Sequence, residues 1–186
     1  MAQVARAGRR RWGIAIATAA ALALAVPAVA QRPREYQVKA AYLYGFGRFV
    51  EWPADAATAD GAFDLCVLGD DPFGRLLDQA AEGGVVKNRP VSVRRIGRPE
   101  DAAQCDTVFV SASEQPRLSR ILAALDHRPV LTVGDSPEFA QRGGMIGFTL
   151  DGGRVRFAVN LVAARDAGLM LQSELIRVAA TVLQER

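Results

Sequence analysis

Short apolar runs and helical stripes alternate along most of this chain. Phe63-Asp64-Leu65-Cys66-Val67-Leu68-Gly69 has the pattern of a buried strand. Asp71-Pro72 then offers an N-cap and a first-turn proline. Phe73, Leu76, Leu77 and Ala80 follow at i, i+3, i+4 and i+7, the spacing of an amphipathic helix, and Gly83-Gly84 stops it. Pro90 to Ile96 alternates as a half-exposed strand, and Thr107-Val108-Phe109-Val110-Ser111 reads as a buried one. Ser113 is placed to cap a helix whose stripe is Leu118, Ile121, Leu122 and Leu125. Val130-Leu131-Thr132-Val133 is a further buried strand, and Asp135-Ser136-Pro137 opens a short helix that Gly143-Gly144 ends. Apolar strands separated by helices predict a mostly parallel sheet covered on both faces.

The pattern then changes. Met145 to Leu150 and Arg154 to Val159 flank Asp151-Gly152-Gly153, which predicts a hairpin with an Asp-Gly turn. A last helix, from about Ser173, carries Leu175, Ile176, Ala179, Val182 and Leu183 on one side. The expected fold is therefore α/β, a three-layer sandwich whose mostly parallel sheet acquires a C-terminal antiparallel hairpin.

The densest aromatic stretch lies earlier, from Glu35 to Pro53. It holds all three tyrosines, Phe46, Phe49 and Trp52. Read as one helix ended by Pro53, it puts Val38, Tyr42, Phe46 (or Gly45) and Phe49 on one stripe, assigned to the core. Tyr44 and Trp52 fall off that stripe. A helix aromatic on more than one face needs two contact surfaces. Trp52, at the exit, is the residue assigned to a ligand or partner.

Residues 1–30 read as a secretory signal. Arg6, Arg9, Arg10 and Arg11 form a basic start, Gly13 to Val26 is apolar, and Ala28-Val29-Ala30 is a cleavage site. The apolar run is short for a span of about 20 residues; an uncleaved anchor is the alternative. Residues 31–186 then suit one α/β domain in the periplasm. Cleavage changes the charge. It takes four of the 23 basic residues, leaving 19 against 20 acidic ones. The basic excess thus belongs to the signal and gives no reason to expect nucleic acid. In an oxidising compartment the cysteine pair, Cys66 and Cys105, reads as a disulfide, with two buried thiols as the alternative.

Catalytic chemistry is sparse. His127 is the only histidine, beside Arg128-Pro129 at a helix end, where a cation suits the helix dipole. No G-x-S-x-G elbow accompanies it, and one histidine with two oxidised cysteines builds no usual zinc site. Asp70-Asp71 resembles the acidic pair of phosphoacceptor receiver domains. The third strand, however, ends in Ser111-Ala112-Ser113 where such a domain needs an acceptor aspartate. Gly143-Gly144-Met145-Ile146-Gly147 lacks a G-K-[ST] ending and precedes a strand, so close packing explains it better than phosphate binding. Asn160 reads as a cap or turn residue. No cofactor is expected, and binding is favoured over catalysis.

Together these segments resemble the YfiR-like family of periplasmic regulatory proteins. The resemblance runs from Tyr36-x-Val38-Lys39-Ala40-Ala41-Tyr42-Leu43 with Trp52-Pro53, through Leu65-Cys66-Val67-Leu68-Gly69, Asp71-Pro72-Phe73-Gly74 and Cys105-Asp106-x-Val108-Phe109-Val110-Ser111. It continues in Leu131-Thr132-Val133-Gly134-Asp135, Phe139, Gly143-Gly144-Met145-Ile146, and Val155-Arg156-Phe157 through Asn160-Leu161. It implies a repressor that binds the periplasmic domain of an inner-membrane diguanylate cyclase and lowers cyclic-di-GMP signalling. It also implies a homodimer, control by an outer-membrane lipoprotein that sequesters it, and a Cys66–Cys105 bridge.

Two positions depart from the family. A second disulfide found in some members would flank the Gly-Gly-Met segment, where this chain has Ala140 and Gly147. An acidic residue common before the hydrophobe that precedes Asn160 is replaced by Ala158, in the partner-facing region of the family. The candidate partner- or ligand-binding set is Trp52, Ile146, Ala158, Leu161 and Ala164. The competing reading is a small-ligand-binding sensor module for a membrane receptor such as a histidine kinase, with a pocket near Trp52, Ile146 and Leu161. An exported hydrolase is weakest, because a nucleophile–base pair is missing.

Overall fold

The computed structural model describes residues 31–54, 61–136 and 138–184; the expected signal segment lies outside the described residues. In chain order the elements are α1 (Gln31–Phe46), β1 (Val50–Glu51), β2 (Phe63–Leu68), α2 (Arg75–Ala81), β3 (Val85–Val86), β4 (Arg89–Ile96), β5 (Thr107–Val110), α3 (Leu118–Ala124) and β6 (Leu131–Gly134). They continue with β7 (Ile146–Asp151), β8 (Arg154–Asn160), α4 (Leu161–Asp166), β9 (Met170–Leu171), α5 (Ser173–Val178) and β10 (Thr181–Leu183).

The apolar runs at β2, β5 and β6 are buried along their whole length, as central parallel strands must be. The main sheet runs β10-β8-β7-β6-β5-β2-β4-β3. Its middle, from β4 through β7, is parallel, and β7 and β8 form the expected antiparallel hairpin, with Phe148 opposite Phe157 and Leu150 opposite Val155. Alternate side chains feed two cores. Leu65, Val67, Phe109, Leu131 and Val133 face α1 and α2, where Ala40, Leu43, Phe46 and Leu77 meet them. Cys66, Leu68, Val108 and Val110 face Leu118, Ile121 and Leu125 on and after α3. This is the three-layer α/β sandwich that the strand and helix periods predict.

Four features differ from the sequence reading. First, α1 ends at Phe46 and passes through a 3-10 turn (Gly47–Phe49) into β1, so Trp52 follows a strand rather than a helix. Gly47 lies against Phe63, whose ring would be 2.9 Å from any added Cβ, and β1 is captured by antiparallel pairing with β9. Second, α1 is rotated about its axis. Its buried face is Lys39, Ala40, Leu43 and Phe46, while the stripe assigned to the core leaves Val38, Tyr42 and Phe49 exposed at 44%, 37% and 38%. Third, the C-terminal helix stops at Val178, and Thr181-Val182-Leu183 becomes β10, parallel to β8. The open edge of β8 offers ladder hydrogen bonds that an extended segment satisfies, Ala180 N–H to Phe157 O among them (2.9 Å). Fourth, the described residues between Asp135 and Gly143 form turns rather than the expected short helix.

That turn segment explains the glycines around it. Phe139 is buried, and its ring lies where a Cβ on Gly134 or Gly144 would stand, 2.0 Å away in each case. Gly144→Ala should therefore displace the ring and cost about 1–3 kcal/mol or more. Urea denaturation should show a lowered midpoint with an unchanged slope.

Candidate functional site

The order β4-β2-β5-β6-β7 places a topological switch point between β2 and β5, where open α/β sheets commonly bind ligands. Here that crevice is filled. Ser113 Oγ accepts from Asp70 N–H (3.0 Å), and Ser113 and the buried Glu114 crowd Gly69. Asp71 turns back on its own backbone, accepting from Phe73 N–H (2.7 Å), and pairs with Arg95 (3.0 Å). Arg95 also forks onto Asp78 (2.6 and 2.7 Å), and that hydrogen bonding holds the Asp78 carboxyl below its ordinary pKa. Such a depressed group stabilises the fold above its unfolded pKa and loses this contribution as pH falls through the folded one. Asp71 is thus spent on structure, while Asp70 is held through its backbone N–H and its side chain is exposed.

Two further charge clusters are internal. Lys39 is 3% exposed on the inner face of α1, where its ammonium pairs with Glu35 and Asp135. Tyr36 Oη donates to the other Asp135 oxygen (2.6 Å). At the opposite end of the sheet Arg89 forks onto buried Asp106 (2.6 and 2.9 Å), whose carboxylate also accepts from Asp64 N–H (2.7 Å). Among the described residues no group of three or more His, Cys, Asp or Glu is arranged to hold a metal. His127 is exposed, with Nδ1 3.1 Å from Asp166 O.

The largest hollow among the described residues is apolar. A groove of about 850 Å³ runs along α1, walled by Val38, Ala41, Tyr42, Gly45 and Phe49, floored by Phe157 and closed by Leu175 and Val178 of α5. Tyr42 packs edge-on to Phe157 (5.6 Å between centroids) and parallel to Phe46 (5.9 Å), so the groove wall is held by core aromatics. The stripe assigned to the core in the sequence is this groove's lining. Its exposure was missed because Lys39 reads as a surface residue until its partner Asp135, 96 positions away, is placed.

The expected binding residues are dispersed. Ile146, Ala158 and Ala164 are buried, at 0%, 7% and 1% exposure, which corrects their assignment to a contact surface. The side chain of Ile146 is core because β7 lies between β6 and β8, and Ala158 is hemmed between Gly147 and Thr181. Leu161 is half-buried against the same core as Ile146. Trp52 is half-buried, edge-on to Phe63 (5.3 Å), beside a separate hollow of about 440 Å³ whose walls include neither Ile146 nor Leu161. Asn160 does cap α4, accepting from Ala163 N–H (3.0 Å), and donates to Ala140 O (2.8 Å). Gly147 lies against Ala140, 3.2 Å from Ala140 N at its would-be Cβ.

Cys66 and Cys105 form a disulfide, with Cα atoms 6.1 Å apart. The model of the YfiR/HmsC-like family matches residues 36–180. The chain belongs to this family. Membership supports a periplasmic regulatory protein at the level of the family. The disulfide suits that oxidising compartment, and among the described residues no helix is long and apolar enough to cross a membrane. Solved structures share the fold at low identity. A conserved domain protein from Vibrio cholerae matches at 11% identity and TM-score 0.50, over 67% of this chain and 56% of its own. A Streptococcus pneumonia ABC domain in complex with L-Trp matches at 8% identity and TM-score 0.54, over 77% and 60%. The chain thus spans less than two thirds of either relative. No curated relative matches it.

Proposed function

We propose that this YfiR/HmsC-like protein binds the periplasmic domain of an inner-membrane diguanylate cyclase and represses it, and that the α1 groove is the contact surface. The observation that carries this is the exposed aromatic lining: Tyr42 and Phe49 stand open beside Val38 on a wall whose other face is firmly packed. Exposed aromatics next to a pocket are the usual anchors of a protein interface. A signal peptide ending at Ala30, a homodimer and a sequestering outer-membrane lipoprotein belong to the same reading.

Deleting the gene should raise cellular cyclic-di-GMP. In a binding assay with the periplasmic domain of a membrane diguanylate cyclase from the same organism, Tyr42→Ala and Phe49→Ala should each weaken affinity about 30-fold, the effect of losing one interface anchor, with thermal unfolding measured alongside to separate this from the packing that Tyr42 loses on Phe46 and Phe157. Unchanged cyclic-di-GMP together with no binding sinks the proposal.

The second reading, a small-ligand sensor for a membrane receptor such as a histidine kinase, draws on the groove's volume. At about 850 Å³ it lies within the usual range of small-molecule sites, and one fold relative carries L-Trp. Calorimetric titration with aromatic amino acids separates the two: saturable uptake lost in Tyr42→Ala, with no cyclase binding, favours the sensor.

A further inference from the structure

We infer that the groove takes an acidic amphipathic helix of the partner, its apolar side chains turned inward and carboxylates set toward the arginines at the groove rim. This rests on the cyclase reading and specifies the chemistry of the segment that docks. The apolar ladder Val38, Ala41, Tyr42 and Gly45 repeats at helical spacing along α1, and Phe49 on the 3-10 turn after it extends the row to twelve residues, about 17 Å at the α-helical rise. That length matches roughly three turns of a facing helix. At Gly45 an added Cβ would meet nothing within 4 Å, so the wall is notched at its middle and admits close approach of a second helix.

Charge selects the occupant. Arg34 lies one turn before Val38 on the same flank of α1, and Arg177 adjoins Val178 on α5; both are exposed. Among the described residues neither is joined to a carboxylate. Glu174 is the single acid of the lining, and its carboxylate accepts from Ser173 Oγ (3.2 Å). Two unpaired cations against one acid favour a segment bearing acidic residues, read as in helix-in-groove recognition. A concave wall floored by Phe157 fits inserted side chains better than the plane of a lipid surface.

The test uses the exported chain purified from the periplasm and the soluble periplasmic domain of a membrane diguanylate cyclase from the same organism. Arg34→Glu with Arg177→Glu should weaken binding at least tenfold at physiological salt, with the gap narrowing as salt rises. Gly45→Gln fills the notch while raising helix propensity, so its expected tenfold loss does not come from unfolding. A partner acid changed to Lys should restore binding to the Arg34→Glu, Arg177→Glu chain. If the wild-type chain binds the cyclase domain and the double reversal and Gly45→Gln bind it equally well, the inference is overturned and the cyclase reading stands. If wild type binds no cyclase, both fall. Phosphatidylglycerol vesicles form the last arm: vesicle binding lost on arginine reversal, with cyclase binding unchanged, assigns the face to lipid and overturns the inference.

Discussion

Lys39→Met should destabilise the domain by about 3–5 kcal/mol, the usual cost of leaving a buried charge without its partner. Asp135 is 7% exposed at its side chain, and its neighbours are the Lys39 ammonium and the Tyr36 hydroxyl. Removing the ammonium leaves that carboxylate with one neutral donor in a site walled by Phe148 and the Tyr36 ring, whose centroids lie 5.8 and 4.7 Å from Lys39 Nζ. Urea denaturation measures the loss. The triple variant Lys39→Met, Glu35→Gln, Asp135→Asn should recover most of it, because a neutral cluster carries no uncompensated charge. A triple variant no more stable than the single one would show that the lysine stem, and not the charge, holds α1 in place. Such an outcome would also loosen the α1 wall of the groove, since Tyr42 is one turn from Lys39.

Removing the Cys66–Cys105 bridge should cost about 4 kcal/mol. The bridge closes a loop with a sequence separation of 39, and the chain-entropy account gives that magnitude for a loop of about 40 residues. Both cysteines are buried in the core beside α3, with Cys66 at 0% and Cys105 at 4% exposure. Unfolding the oxidised chain and the reduced, alkylation-free chain in parallel isolates the covalent contribution from the cavity that Cys→Ala would leave. Equal urea midpoints would defeat the expectation. Non-reducing mass mapping of periplasmic protein gives the pairing directly.

Much of the architecture was readable before any coordinates. β2, β5 and β6 are short apolar runs bounded by turn residues, and a strand buried on both faces has few other patterns open to it. The β7–β8 hairpin follows from Asp151-Gly152-Gly153, where Gly152 and Gly153 take positive φ (54° and 75°). What failed was the orientation of α1 and the fate of the C-terminus. On the Leu175 stripe, helical and extended readings both keep Val182 and Leu183 apolar; only the free edge of β8 decides between them. The candidate contact residues failed for a related reason. Ile146 and Ala158 carry no local mark of burial, since strand alternation leaves open which face of the hairpin another element covers, and Ala164 lies on α4, a short helix whose packing face its own sequence does not mark.

The sequence by itself determined the layers, the parallel centre of the sheet, the hairpin, the cysteine pair and the family, because each is written in local periodicity, turn chemistry or an ordered set of short motifs. The tertiary structure decided which side of the aromatic helix is core. That depends on Lys39 meeting Asp135 across 96 positions: a buried ion pair turns a charged residue inward and leaves Val38, Tyr42 and Phe49 facing out as the groove. A long-range pairing of charges has no period along the chain, so only the folded molecule displays it.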